Sequence, residues 1–83
     1  MPKRRKPEPE KLDYKEIGRR IREIRGFDTN QAEFGKMIGV GQSQVSKYER
    51  GDILPPVEVL LRIAAIGGKA VDWILKGSFE SAP

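Results

Sequence analysis

Five short stretches of helical periodicity, each closed by glycine, set the limits on how this chain folds. The closing residues are Gly26, Gly39, Gly51, the pair Gly67-Gly68, and Gly77. Glycine stops a helix readily because it enters the left-handed conformation without a Cβ clash. Between the stops, apolar residues recur three and four positions apart, and no convincing strand pattern appears. The expected fold is all-α: a compact five-helix domain over residues 13–77, with a flexible basic arm at 1–12 and a frayed tail at 78–83.

The first helix is predicted to start at Asp13, with Glu16 three positions later supplying a capping-box signal. Tyr14, Ile17, Ile21 and Ile24 mark its core face, and Phe27, just beyond Gly26, is expected to plug the core. Asn30 and Glu33 form a second capping box, opening a helix with Phe34, Met37 and Ile38 on its apolar side. After Gly39-Val40-Gly41, a third helix runs from Gln42 to about Arg50, anchored inward by Val45 and Tyr48. Pro55 and Pro56 suit the entrance of an apolar fourth helix, Val57 to Ile66. A short fifth helix, about Val71 to Lys76, carries Trp73, Ile74 and Leu75. Asp28, Asp52 and Asp72 read as turn or cap residues.

Composition removes most chemistry. The 83 residues contain no cysteine and no histidine, and the twelve carboxylates are scattered singly. Thiolate chemistry is therefore ruled out, and with histidine go the commonest general base and the commonest metal ligand. No enzyme activity, metal site or cofactor is expected. No apolar run is long enough to span a bilayer, and the basic N-terminus lacks the apolar segment of a signal peptide. A cytoplasmic protein without membrane association is the expectation.

The net charge of +4 is concentrated at one end. Residues 1–11 carry five basic side chains against two acidic ones, whereas the remainder carries eleven against ten. The block Lys3-Arg4-Arg5-Lys6 suits contact with nucleic-acid phosphates or the minor groove, and fits a solubilising tail equally well. Any electropositive surface on the folded part has to come from placement rather than total charge.

The segment Asn30 to Gly51, NQAEFGKMIGVGQSQVSKYERG, has the spacing of a helix-turn-helix: two short helices around a three-residue glycine turn. Gly39 supplies the positive backbone angle, Val40 holds the corner, and Gly35 is the small residue where the helices approach. With Val45 and Tyr48 packed inward, Gln42, Ser43, Ser46 and Lys47 are left on the opposite face and Gln44 on the flank. Glutamine pairs with adenine, lysine donates to guanine and serine is permissive, so these are candidate base contacts. Gln44 is a candidate phosphate contact.

This segment resembles the helix-turn-helix of the lambdoid phage repressor and Cro family. The likeness extends from about Ile17 to Gly77, where AVDWILKG resembles the family's closing helix. The resemblance implies base reading by Gln42, Ser43 and Lys47, with Ser46 reaching towards the groove. It implies phosphate contacts at Gln31 and Arg50, with Gln31 also bracing Gln42, and an ion pair between Arg25 and Glu49. Val71, Trp73 and Ile74 are candidate dimer-interface residues. Gly41 departs from the family's usual serine or threonine cap, and Gly35 from its usual alanine, a change that keeps clearance at a cost in helix propensity. The Gly67–Ala70 link is one residue longer than usual.

The implied function is sequence-specific binding of double-stranded DNA by a transcriptional regulator, a repressor acting as a homodimer on a roughly palindromic operator. The alternative is an antitoxin or other interaction protein that binds a protein partner as well as DNA. Arg19, Arg20 and Arg22 read as a solvated helix face. RNA binding is disfavoured, because the few aromatics look structural rather than displayed on a platform.

Overall fold

The computed structural model describes residues 11–77. The basic block Lys3, Arg4, Arg5 and Lys6 and the tail 78–83 lie outside the described residues. Five helices follow one another: α1 Tyr14–Arg25, α2 Gln31–Ile38, α3 Gln42–Arg50, α4 Val57–Gly67 and α5 Val71–Lys76. No strand occurs among the described residues. The all-α, five-helix fold expected from the sequence is the fold observed.

Helix starts differ in how well they are tied. The Asp13 carboxylate accepts from the backbone N–H groups of Lys15 and Glu16, satisfying two orphan donors of α1. Glu16 does not return the bond; its carboxylate accepts from Arg19 Nε instead. At α2 the box closes in both directions between Asn30 and Glu33. No side chain caps α3, α4 or α5, which begin after Gly41, Pro56 and Ala70.

α1 lies across α3, α3 packs against α2, and α4 and α5 close the other side of α1. Ile17, Ile21, Phe34, Ile38, Val45, Ile63 and Ile74 are buried at 0–1% exposure, with Tyr48 at 2%. Each such aliphatic or aromatic side chain stabilises the fold by about 1.5–3 kcal/mol relative to leaving it in water.

Two glycines set how closely the helices meet. A Cβ on Gly18 would stand 2.6 Å from the carbonyl oxygen of Tyr48 and closer still to that of Glu49. The backbone of α3 thus rests directly on α1, with no side chain between them. At the turn, Gly39 adopts φ 79°, and the Val40 N–H donates to the Gly35 carbonyl at 2.8 Å. This folds the turn back over α2, so that a Cβ on Gly35 would lie 2.5 Å from the Val40 oxygen. The clearance there is tighter than an alanine accepts, contrary to what the resemblance implies.

Several apolar side chains lie elsewhere than the periodicity implies. Phe27 does not plug the core; it is 96% exposed. Its loop is held by Arg25 Nη1, which donates to the Thr29 carbonyl, and the Arg25–Glu49 ion pair occupies the interior beside it. Tyr14, Met37, Val57 and Leu61 are likewise exposed. On α4 the inward set is Val59, Leu60, Ile63 and Ala64, which leaves Val57 and Leu61 pointing away from the core. Ile74, a candidate interface residue, is fully buried within the single chain and has no surface to offer a second copy.

Substitutions at two glycines are expected to change stability in opposite directions. Gly18→Ala gains about 1 kcal/mol of helix propensity, but must displace α3, with an overpacking cost of about 1–3 kcal/mol; the net effect is destabilising. Gly41→Ser meets no neighbouring atom and supplies the missing cap, stabilising by about 0.3 kcal/mol. Urea unfolding of the two variants checks both signs.

Candidate nucleic-acid interface

The site is built around α3, whose inward residues Val45 and Tyr48 fix its rotation. With those two buried, Gln42, Ser43 and Lys47 are exposed and Ser46 and Gln44 half-buried. The side chains of Ser43, Gln44 and Lys47 have no hydrogen-bond or ion-pair partner among the described residues. Gln42 and Ser46 are held.

The hold on Gln42 begins at a partly buried ion pair. Arg25 at the end of α1 and Glu49 on α3 meet in a two-point contact, Nε to Oε2 at 2.6 Å and Nη2 to Oε1 at 3.0 Å. Their side chains are only 14% and 6% exposed. The hydrogen bond that Arg25 donates to Glu49, opposed by burial and aided by the carboxylate's charge, raises the pKa of Arg25 above its already high ordinary value. A raised cationic pKa contributes stability that is lost only as pH climbs through the folded value. Arg25 therefore stays charged throughout the working range.

Glu49 also accepts from Gln31 Nε2 at 3.0 Å, and Gln31 Oε1 accepts from Gln42 Nε2 at 3.0 Å. An ionised carboxylate only accepts hydrogen bonds, so Gln31 must turn its NH2 towards Glu49 and its oxygen towards Gln42. Gln42 must then spend one N–H on Gln31. What it presents outward is its carbonyl oxygen and its second N–H: one acceptor beside one donor.

The other end of the face carries a second cluster. Arg50 Nη1 donates to Ser46 Oγ, while its Nε and Nη2 contact Asp52 Oδ2 at 3.0 and 2.9 Å. Asp52, read from sequence as a turn residue, is thus part of the site. The signal was present as opposite charges flanking Gly51, but two positions apart across a helix end they fit no regular spacing rule.

Other candidates are placed as follows. Tyr48 is buried, which makes it a packing residue. Arg20 is not part of a solvated face; its side chain is 12% exposed, and its Nη1 donates to the Ile74 carbonyl, tying α1 to α5. Arg19 pairs with Glu16 and Glu23 on its own helix. Val71 and Trp73 are half-buried, and Lys69 Nζ sits 4.7 Å from the centre of the Trp73 ring. No group of three or more acidic side chains among the described residues is placed to hold a metal ion.

The geometry has close counterparts. A family model described as helix-turn-helix matches residues 19–74. The P22 c2 repressor protein, solved as a crystal structure in complex with a synthetic operator, is 36% identical with TM-score 0.70 over 75% of this chain and 96% of that one. The DNA-binding domain of the same repressor in solution is 32% identical with TM-score 0.68, over 86% and 95% of the two chains. The restriction-modification controller protein C.AhdI from Aeromonas hydrophila shares the fold at 22% identity, with TM-score 0.65 over 75% and 96%. No curated protein sequence matches the chain. The chain belongs to the helix-turn-helix family of phage repressor and Cro type.

Removing one partner of the ion pair strands the other charge in the interior. Glu49→Ala is expected to lose about 3 kcal/mol, read as a lower urea midpoint at unchanged slope. An unchanged midpoint would show that Arg25 finds water or another acceptor.

Proposed function

We propose that this protein is a sequence-specific regulator of transcription that binds double-stranded DNA, a repressor working as a homodimer on a palindromic operator. The observation that carries this reading is the exposed face of α3, with Gln42, Ser43, Ser46 and Lys47 side by side and Gln42 braced from α2. The acceptor–donor pair that Gln42 presents is the complement of the N6 amino group and N7 of adenine in the major groove. Lys47, exposed and unpaired, suits guanine O6 and N7. Ser43 lies between them and accepts either edge. Gln31, at the first turn of α2, Gln44, on the flank of α3, and the unused N–H groups of Arg50 suit donation to phosphates. The operator named with the P22 c2 repressor supports this reading by family likeness.

One module of this size buries only about 600–1,000 Å² on DNA, which is little for a unique address. Two copies on half-sites about one helical turn apart would double it. Val71 and Trp73, half-buried on α5, offer surface to a second copy, and the buried Ile74 is part of the core they pack against.

Selection of operators from random duplex DNA tests the base assignments. Gln42→Ala and Lys47→Ala should each relax preference at a different base pair, with a penalty of about 1–3 kcal/mol lost at that position. Selected sequences identical to wild type for both variants would remove the assignment. Deletion of residues 2–11 should weaken binding and lower the salt slope by about 0.9 for each phosphate that the arm had neutralised. An unchanged slope would make the arm a tail.

A further inference from the structure

Gln42, Ser46 and Arg50 stand four residues apart on α3 and therefore form one row along its exposed side. The row is fastened at its N-terminal end by Gln31 and at its C-terminal end by Asp52. We propose that Asp52 and Arg50 are positioning residues that make Ser46 a hydrogen-bond donor in the groove, and hence a reader of acceptor edges. This inference rests on the DNA-binding reading above.

A serine hydroxyl is ordinarily indifferent, able to donate or accept. Here Arg50 Nη1 donates to Ser46 Oγ, and a guanidinium cannot accept in return. The hydroxyl oxygen facing Arg50 is thus used as an acceptor. The Ser46 hydroxyl makes no bond to a carbonyl of the preceding helical turn, or to any other acceptor among the described residues. Its proton is left for an outside group. With Arg50 crowding the lone pairs, an incoming donor such as the amino group of cytosine or adenine meets a neighbouring cation's N–H groups. An incoming acceptor such as purine N7, guanine O6 or thymine O4 meets a free proton.

Asp52 keeps the guanidinium in that orientation. Its Oδ2 takes both Nε and Nη2, which turns Nη1 towards Ser46 and leaves the outer N–H groups of Nη1 and Nη2 for a phosphate. The pair is 59% and 52% exposed, so it adds little to stability. Its effect lies in orientation and in charge: Asp52 offsets the cation nearest the end of the reading face.

Operator selection and salt titration of the full chain separate these roles. Ser46→Ala should relax preference at one base pair by about 3- to 10-fold, the range of a single neutral hydrogen bond. Arg50→Ala should relax the same base pair, and the double variant should relax it no further. Asp52→Ala should relax that base pair while raising affinity for all duplexes and steepening the salt slope, because Arg50 becomes free to neutralise a phosphate. Asp52→Asn, which keeps the acceptor oxygen, should retain more of the preference than Asp52→Ala. If Arg50→Ala weakens every sequence equally and leaves the preferred bases unchanged, Arg50 acts on phosphate alone and the proposal is overturned. Unchanged selection by Ser46→Ala also overturns it, while the DNA-binding reading stands. Failure of the wild-type chain to select any sequence would remove both.

Discussion

The contact between Arg25 and Glu49 joins the end of α1 to α3, and one of its acceptor oxygens reaches α2 through Gln31. Three helices are thereby referred to one carboxylate. In energy alone the pair is ordinary, since the cost of drying two ions offsets much of their attraction. Its value is directional. A carboxylate that only accepts imposes a polarity on Gln31, and Gln31 imposes one on Gln42, so a buried charge determines which atoms an exposed amide shows to solvent. The close seat of α3 on Gly18 keeps the carboxylate within reach of both partners.

Much of the fold is legible in the sequence because it follows from local rules. Helix-period apolar residues and glycine stops place five helices within a residue of where they occur, and the Asn30–Glu33 box forms in full. The misplacements share a cause. Periodicity says which side chains can share a face, not which faces find a partner. Val57 and Leu61 alternate correctly with the core residues of α4, yet look outward because one side of that helix suffices to close the core. Hydrophobicity alone would turn Phe27 inward, whereas the polar link from Arg25 to Thr29 holds its loop at the surface.

The site is legible as residue types and less so as connections. The outward set on α3 follows from the inward positions of Val45 and Tyr48, which spacing alone supplies. The role of Asp52 is hidden because its partner lies across a left-handed glycine, where helical spacing no longer applies. That of Gly18 is hidden for a similar reason: a glycine in mid-helix marks a close approach, but nothing local says to what. Arg20 shows the same limit, since its acceptor is a backbone carbonyl of α5, fifty-four residues away.

The face of α3 is divided between side chains the fold holds and side chains it leaves alone. Gln42 and Ser46 belong to networks that run back to Glu49 and Asp52, so exchanging either disturbs its neighbours. The side chains of Ser43, Gln44 and Lys47 have no hydrogen-bond or ion-pair partner among the described residues. On the proposed reading, Ser43 and Lys47 are the base-facing side chains that can be exchanged without compensating changes inside. Exchange at Gln42 or Ser46 instead requires Gln31, or Arg50 and Asp52, to change with it.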